Sequence, residues 1–246
     1  MNAVKAVVLA AGKGTRLHSS EHNSPKVMRL ANEKPLLHYV LSALDFIEKD
    51  DITIVVGYMA QQVRDAFPQY KSALQEEQLG TGHAVMAARG QLEGFDGTVL
   101  VCYGDMPLLK KETYETLLAY HYEHGNVCTI LTGTSTTYLP YGRVVRDGEG
   151  NFSCVVEDRD CTPQQKEIKE LNAGIYAFDC AALLDALTKL RSDTNVQKEY
   201  YLTDAPQIIL SEGGKVGACC VELNEQILGV NTPEDLALVE KCLKER

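Results

Sequence analysis

The stretch of sequence that decides the fold is Val4-Lys5-Ala6-Val7-Val8-Leu9-Ala10-Ala11-Gly12-Lys13-Gly14-Thr15-Arg16-Leu17. Its first six residues form an apolar run rich in valine, which predicts a buried β-strand over residues 4–9. Glycines follow the strand closely, and small residues in that position let backbone N–H groups approach a phosphate. The stretch therefore predicts a strand that ends in a phosphate-binding loop.

Two familiar phosphate-binding motifs fail in this loop. A dinucleotide fingerprint needs a third glycine where Leu17 stands, and the spacing of a Walker A loop is also absent. Gly12 and Gly14 after a strand are a weak signal by themselves, because a tight turn without function has the same pattern. A dinucleotide-dependent oxidoreductase is disfavoured by the failed fingerprint.

Positive charge follows the loop, although the chain as a whole is acidic. Arg16 closes the loop and Lys26 comes soon after it, in a chain whose formal net charge is -10. Arginine offers phosphate oxygens a planar fork of donors, and lysine offers a mobile point charge. The two cations predict a triphosphate site with pyrophosphate as the leaving group. The alternative is a pair of solvated surface cations.

Outward from the loop, short apolar runs alternate with longer segments of helical spacing. Strands are predicted at residues 52–56, 98–103 and 127–131, and helices at residues 36–47, 60–67, 83–92 and 112–122. This alternation predicts an α/β, Rossmann-like fold with a mostly parallel central sheet and helices on both faces. Ligands of such sheets bind beyond the carboxyl ends of the strands.

The second half of the sequence is less regular. Strands are predicted at residues 143–146, 152–157, 173–178 and 215–223, and helices at residues 204–210 and 233–243, the last with Thr232 as its N-cap. No linker or internal repeat interrupts the chain. We therefore expect a single domain over residues 1–246, with halves at about 1–135 and 136–231, a C-terminal helix at 232–246, and a smaller lobe beside the main sheet.

Net charge and cysteine pattern indicate which kinds of partner the protein binds and in which cellular compartment it works. An acidic chain repels nucleic acid and anionic membranes, so neither is expected to bind. The eight cysteines form no C-x-x-C pair, which favours buried core fillers in a reducing cytoplasm. No secretory signal and no apolar run long enough to span a bilayer are present. The composition does not indicate an oligomeric state.

Several motifs together resemble the sugar-phosphate nucleotidylyltransferases, and among them the uridylyltransferase domain of the bifunctional bacterial enzymes. The motifs occur in the family's order over nearly the whole chain: Gly12-x-Gly14-Thr15-Arg16 with Pro25-Lys26, Gln75 to Ala84, Tyr103-Gly104-Asp105-Met106-Pro107-Leu108, Tyr141 to Arg146, Glu199 to Asp204, and Gly229-Val230-Asn231. Each motif alone has an ordinary explanation, such as a turn or a helix cap. Their joint occurrence makes the resemblance strong.

The resemblance implies roles for individual residues. Arg16 and Lys26 would act on the phosphates as catalytic residues, and Asp105 and Asn231 would hold Mg²⁺ as the cofactor. UTP would be bound by Leu9, Ala10, Ala11, Gly12, Gly14, Thr15, Gln75, Gly80 and Thr81. The sugar 1-phosphate would be bound by Tyr103, Gly142, Glu157, Asn172, Glu199, Tyr201 and Thr203, so the smaller lobe would be a sugar-binding lobe. The amide of Gln75 can meet both a donor and an acceptor on a pyrimidine edge.

The reaction implied by the resemblance is attack of N-acetylglucosamine 1-phosphate on the α-phosphorus of UTP, which yields UDP-N-acetylglucosamine and pyrophosphate. Such a product would serve cell-wall (peptidoglycan) synthesis. Another nucleotide or hexose 1-phosphate stays open, as does a non-catalytic subunit that senses nucleotide sugars. No hexapeptide repeats are present, so we expect no acetyltransferase activity from this chain. His83 is expected to pack against or cap the helix that follows it, and is not expected to act as a base.

Overall fold

The computed structural model describes residues 3–14, 17, 23–135 and 138–246 of the protein. Thr15 and Arg16, predicted to bind phosphate, lie outside the described residues. The strands in the described residues are β1 (Val4–Ala10), β2 (Leu30–Ala31), β3 (Lys34–Pro35), β4 (Ile52–Val56), β5 (Lys71–Leu74), β6 (Thr98–Tyr103), β7 (Cys128–Thr134), β8 (Arg143–Arg146), β9 (Phe152–Val156), β10 (Glu170–Asp179) and β11 (Val216–Cys220).

Helices connect most of these strands. They are α1 (Leu36–Ala43), α2 (Ala60–Ala66), α3 (Thr81–Ala87), α4 (Arg89–Leu92), α5 (Lys111–Glu123), α6 (Pro163–Lys166), α7 (Cys180–Lys189), α8 (Ala205–Ser211) and α9 (Pro233–Lys244). The last helix begins at a capping box, in which the Thr232 hydroxyl accepts from the Asp235 N–H and the Asp235 carboxylate accepts from the Thr232 N–H.

The central sheet has the strand order β11-β7-β10-β6-β1-β4-β5. Strand β1 runs parallel to β4 and β6, β4 runs parallel to β5, and β7 runs parallel to β11. Strand β10 runs antiparallel to both of its neighbours, β6 and β7. The predicted α/β class with a mostly parallel sheet is therefore confirmed, with one antiparallel strand in its interior.

Strand β1 is covered on both faces of the sheet, which explains its nearly continuous apolar sequence. Because side chains alternate along a strand, Ala6, Val8 and Ala10 pack into one core with α1 and α5, while Val7 and Leu9 pack into a second core with α3 and α7. Packing on both faces holds β1 in place, and this determines where the loop after Ala10 begins.

The smaller lobe grows from the side of β10. Strands β8 and β9 pair antiparallel with each other, and β8 joins the sheet through Leu171 of β10, opposite Arg143. Strand β10 belongs to the range 136–231 but lies between β6 and β7, which belong to the range 1–135. The two ranges therefore share one sheet.

Several predicted boundaries differ from the observed elements. The helix predicted at residues 36–47 ends at Ala43, because Leu44 and Ile47 are buried through two successive turns rather than through helix. The segment predicted as one helix at 83–92 is two helices that meet at Ala88. Strand β10 is longer than the predicted 173–178, and β11 is shorter than the predicted 215–223.

Each of the eight cysteines is a free thiol, and half of them are buried: Cys102, Cys128, Cys180 and Cys219. Their burial agrees with a role as small core fillers. Within the described residues, no helix has the length and apolar character that crossing a bilayer requires.

Candidate functional site

Four strand ends meet at one edge of the sheet. Strands β1, β4, β5 and β6 are parallel neighbours, so the segments after them lie side by side. Backbone hydrogen bonds fasten these segments together: Gly104 donates to Leu9 at 2.9 Å, Tyr58 to Ala11 at 3.2 Å and Gln75 to Val56 at 2.8 Å. Residues far apart in sequence therefore form one floor at the carboxyl edge.

A first cavity of about 280 Å³ lies on this floor. Its walls combine the loop after β1, the segment after β5 and the start of α3. The lining residues are Leu9, Ala10, Ala11, Gly12, Lys26, Val27, Gln75, Gln78, Gly80, Thr81, Ala84, Tyr103, Asp105 and Glu199. The structure thus brings together most of the residues predicted to bind a nucleotide.

The segment that carries Gly80 and Gly82 needs glycine at both positions because it packs closely against the Tyr200 backbone. Gly80 has φ +113°, and a Cβ there would lie 2.6 Å from the Tyr200 carbonyl oxygen. Gly82 donates to that same carbonyl at 2.7 Å, and Tyr200 donates to Leu79 at 2.8 Å. This docking brings the Tyr200 segment alongside the first cavity. As a result Glu199, predicted to bind the sugar, lines the first cavity rather than the second.

The amide of Gln75 is held in one direction. Its nitrogen donates to the Gly80 carbonyl at 3.1 Å and lies 3.1 Å from Nδ1 of His83. Because the Gly80 oxygen can accept but cannot donate, the amide must present its NH₂ group there. Both N–H bonds are then used inside the protein, which leaves the carbonyl oxygen as the free end of the amide. In this arrangement Gln75 has an acceptor rather than a donor left for a ligand.

A lysine links the two residues predicted to bind metal. The ammonium group of Lys26 forms an ion pair with Asp105 and donates to the side-chain carbonyl of Asn231 at 3.0 Å. Asp105 directly follows β6, and its backbone carbonyl accepts from Val230 at 2.9 Å, which brings the Asn231 loop beside it. Three predicted site residues from distant parts of the chain thus meet, with one positive charge at their centre.

A second cavity of about 180 Å³ opens on the other side of Tyr103 and Asp105. It is lined by Tyr103, Asp105, Met106, Pro140, Tyr141, Gly142, Glu157, Asn172, Ala173, Gly174, Gly229 and Asn231. Four of the residues predicted to bind a sugar line it: Tyr103, Gly142, Glu157 and Asn172. Tyr103 and Asp105 form a wall common to both cavities.

Asn172 is fixed by an irregularity in β10, where the pairing with β7 shifts between Asn172 and Tyr176. Its amide donates to the Tyr176 hydroxyl at 2.6 Å, and its side-chain oxygen accepts from Gly174 at 2.9 Å. Gly174 has φ +75°, and a Cβ there would overlap the Tyr103 ring. The irregularity thus seats Tyr103, the wall between the cavities, against bare backbone.

Glu157 is a half-buried carboxylate that lines the second cavity. Burial raises the pKa of Glu157, the hydrogen bond that Thr203 donates at 3.0 Å opposes this rise, and the charges of Asp160 and Asp204 add to it. Burial, together with the charge of Asp160, raises the pKa of Asp204 to about 6. Thr203 therefore holds Glu157 from behind and does not line either cavity.

Tyr141 ties the second cavity to the loop that bears Asn231. Its hydroxyl donates to the Ile227 carbonyl at 3.0 Å and accepts from the Gly229 N–H at 2.9 Å. Burial raises the pKa of Tyr141 to about 12, so the hydroxyl keeps its proton. One phenol therefore fixes two points of the 227–231 loop.

Two further predicted residues lie apart from the cavity walls. Gly14 adopts φ +66° at the end of the described loop and accepts a hydrogen bond from Leu17 at 3.0 Å. Tyr201 is buried, and its hydroxyl accepts from the Gln197 amide at 2.7 Å. Neither lines the first or the second cavity.

Sequence reasoning missed the roles of His83 and Tyr141. The sequence predicts that His83 packs against or caps a helix, yet it contacts the Gln75 amide. Both residues stand inside motifs quoted above, at Gly82-His83-Ala84 and Tyr141-Gly142-Arg143, so their positions are visible in the sequence. Their hydrogen-bond partners are not visible there, because these depend on how the chain folds back.

The Asp105–Asn231 pair suits a magnesium ion. Mg²⁺ prefers oxygen ligands and is commonly held by one or two carboxylates plus substrate phosphates. The Asp105 carboxylate and the Asn231 carbonyl already converge on the cationic group of Lys26. In the part of the chain that the structure describes, no cluster of three or more His, Cys, Asp or Glu side chains could hold a metal.

Comparison with known proteins places this geometry in a family. The family model described as the MobA-like NTP transferase domain matches residues 6–200. The chain is 43% identical over 244 residues to the bifunctional protein GlmU of Alkaliphilus metalliredigens, covering 99% of this chain and 52% of that protein. It is 42% identical over 243 residues to the bifunctional protein GlmU of Clostridium perfringens, with 98% and 52% covered.

A third relative, the bifunctional protein GlmU of Pelotomaculum thermopropionicum, is 43% identical over 242 residues, with 98% of this chain and 52% of that protein covered. The chain thus spans about half the length of these relatives. The family match extends from β1 to Tyr200 and includes every residue that lines the two cavities except Gly229 and Asn231. The chain belongs to the MobA-like NTP transferase domain family.

Proposed function

We propose that this protein transfers the uridylyl group of UTP to N-acetylglucosamine 1-phosphate, with Mg²⁺ as cofactor, in the cytoplasm. The observation that carries the proposal is the wall of Tyr103 and Asp105, which the two cavities share. A nucleotide in one cavity and a sugar phosphate in the other would meet at that wall. Similarity to the bifunctional protein GlmU supports this pair of substrates.

The first cavity suits the nucleotide. The loop after β1 offers small residues, Ala10, Ala11 and Gly12, where phosphates can approach the backbone. The free carbonyl oxygen of Gln75 would accept a hydrogen bond from a base at the far end. Lys26 lies along the same cavity and supplies positive charge for the phosphates.

The second cavity suits an N-acetylated sugar. Glu157 and Asn172 give it one carboxylate and one amide that hydroxyl and N-acetyl groups can meet. Thr203 and Tyr176 hold those two side chains from behind. The pocket is therefore pre-organised for hydrogen bonds in fixed directions.

The reaction would need positioning and charge neutralisation rather than a covalent intermediate. The sugar phosphate oxygen is already an anion, so it can attack the α-phosphorus in line while pyrophosphate leaves from the opposite side. Asp105 and Asn231 would hold Mg²⁺, which when bound supplies positive charge to phosphate oxygens of both reactants. Lys26 and Arg16 would stabilise the negative charge that develops on the pyrophosphate as it departs.

Pyrophosphate release tests the proposal directly. Purified protein is given Mg²⁺, each of UTP, CTP, ATP, GTP and dTTP, and a panel of hexose 1-phosphates with and without an N-acetyl group. We expect the highest kcat/KM for UTP with N-acetylglucosamine 1-phosphate. A different best pair would reassign the substrates. Binding of UDP-sugars without turnover of any pair would favour a non-catalytic sensor instead.

A further inference from the structure

We propose that His83 is a specificity-determining residue that, with the Gly80 carbonyl, orients the Gln75 amide so that the first cavity selects a base carrying a ring N–H and rejects cytosine. The inference rests on the proposed function, since it takes the first cavity as the base-binding site. Beyond that function, the Gln75 amide oxygen is the atom that would accept from the base, and His83 is the residue that helps to orient it.

The geometry around Gln75 carries the first step. Gln75 is 4% exposed, and its NH₂ group is 3.1 Å from both the Gly80 oxygen and His83 Nδ1. Because the amide donates to His83, Nδ1 must be the bare nitrogen, and the ring proton sits on Nε2. The amide oxygen makes no hydrogen bond with any side chain or backbone group that the structure describes, and Gln75 lines the cavity.

The chemistry of the bases gives the second step. Uracil and thymine carry an N–H at position 3 of the ring, which can donate to an amide oxygen. Cytosine carries a bare nitrogen there, so its lone pair would face the Gln75 oxygen. A buried polar group left without a partner costs about 1–3 kcal/mol, so the fixed amide favours the N–H base.

The cost of turning the amide over gives the third step. A flipped amide would offer cytosine its NH₂ group but would place oxygen against oxygen at Gly80. The Gly80 carbonyl cannot adjust, because the Gly80 backbone has φ +113° and is docked against Tyr200. With its ring proton on Nδ1, His83 could donate to the oxygen of the flipped amide. His83 therefore contributes less than Gly80 to the preferred amide orientation. The Gly80 carbonyl sets most of the amide direction, and His83 adds a smaller part by accepting the second N–H.

The imidazole is itself held in place. The His83 ring lies 6.3 Å from the Tyr200 ring, and the Tyr200 backbone pairs with Leu79 and Gly82 on both sides of Gly80. His83 and Gly80 therefore both lie against the Tyr200 segment. The same segment that shapes the loop also positions the group that orients Gln75.

The test compares UTP with CTP in wild-type protein and in His83→Phe, which keeps an aromatic ring but removes the acceptor nitrogen. We expect the ratio of kcat/KM for UTP over CTP to fall about fivefold to tenfold, the share of one net hydrogen bond. His83→Asn, whose side-chain oxygen reaches the place of Nδ1, should restore most of the ratio. His124→Phe, at an exposed histidine just after α5 that lines neither cavity, serves as the matched control and should leave the ratio unchanged.

Two results would overturn the inference. One is a wild-type protein that uses UTP and CTP equally well, and the other is a His83→Phe ratio within twofold of the wild-type ratio. If the Phe variant does not fold by circular dichroism, His83→Ala carries the same comparison. If wild-type protein turns over no nucleotide, the proposed function fails, and calorimetric binding of UTP and CTP still tests the base selection by itself.

Discussion

The two cavities are built in different ways. The first is made mostly of backbone and small side chains from short contiguous segments, residues 9–12 and 75–84, placed at the ends of parallel strands. The second is made of side chains scattered over residues 103–231, several of which are held by separate hydrogen bonds to other side chains or to the backbone. Phosphate binding needs exposed N–H groups, which a glycine-rich loop supplies, whereas sugar binding needs side chains in fixed directions.

The two cavities position their lining groups accurately in two different ways. In the first cavity precision comes from close backbone approach, as where Gly80 and Gly82 meet Tyr200. In the second it comes from side chains that support other side chains, as where Thr203 supports Glu157. Substitutions can disturb the close backbone packing of the first cavity, the supporting side chains of the second, or the wall of Tyr103 and Asp105 between them.

The largest effect is expected at Lys26, which lines the first cavity and contacts both Asp105 and Asn231. Lys26→Ala should lower kcat/KM by about 10²–10³, because losing one charged contact to a departing group typically costs about 3–4 kcal/mol. Steady-state pyrophosphate release measures it. Lys34→Ala, at an exposed lysine of β3, is the control and should stay near wild type. Nearly full activity of Lys26→Ala would remove Lys26 from the mechanism.

Gly174 tests the wall between the cavities. Gly174→Ala should lower the free energy of unfolding by about 2–4 kcal/mol, because it combines a left-handed backbone with a methyl group that overlaps the Tyr103 ring. Urea denaturation measures it. Gly148→Ala should change stability little, because a methyl group at this turn glycine would have no atom within 4 Å. Equal effects of the two substitutions would mean that Tyr103 does not depend on the irregularity in β10.

Tyr141 tests whether the second cavity controls the metal loop. Tyr141→Phe removes the hydrogen bonds to Ile227 and Gly229, which should weaken metal binding in the presence of UTP by about 1–2 kcal/mol, or roughly fivefold to thirtyfold. Electron paramagnetic resonance of bound Mn²⁺ measures the affinity without turnover. Tyr138→Phe, at an exposed tyrosine, is the control. Unchanged Mn²⁺ affinity in Tyr141→Phe would show that the backbone bond from Val230 to Asp105 is enough to place Asn231.

The smallest effect concerns the acidic groups behind the second cavity. Burial, with the charge of Asp160, raises the pKa of Asp204 to about 6 from an ordinary value of 3.8. A raised carboxyl pKa stabilises the folded state below pH 4, and this contribution is lost as the pH rises through 6. Asp204→Asn should therefore be more stable than wild type at pH 7, by about 1 kcal/mol after allowing for solvent screening, and no more stable at pH 4.

Thermal unfolding at the two pH values measures this difference. Asp96→Asn, at an exposed loop position, is the matched control and should show the same stability as wild type at both pH values. A stability gain of Asp204→Asn that stayed the same from pH 4 to pH 7 would contradict a raised pKa and would point to a change in packing.

The sequence predicted the first cavity better than the second for a physical reason. Its loop and strand are contiguous, so the residue types that a phosphate cradle needs stand next to each other from Leu9 to Gly14. The second cavity could be assigned through the family resemblance alone, because no local pattern links Glu157 to Thr203 or Asn172 to Tyr176. The antiparallel place of β10 also escaped prediction, since apolar runs do not report strand direction.

Boundaries failed where tertiary packing replaced local preference. Leu44 and Ile47 keep the apolar spacing of a helix, yet they reach the core through turns after Ala43. The hydrogen-bond partner of His83 escaped prediction because a lone histidine carries no pattern. Its contact with Gln75 arises because the segment after β5 turns back at Gly80 to start α3.

The position of β10 has a consequence for how the protein is made. Residues 170–179 complete the sheet between β6 and β7, so a ribosome releases both of those strands before their shared neighbour exists. At about 5–20 residues per second, the nascent chain spends a few seconds with the edges of β6 and β7 that face β10 unpaired. Open edges recruit strands from other chains, which makes this interval an aggregation risk. A fragment cut near residue 135 would keep that risk permanently.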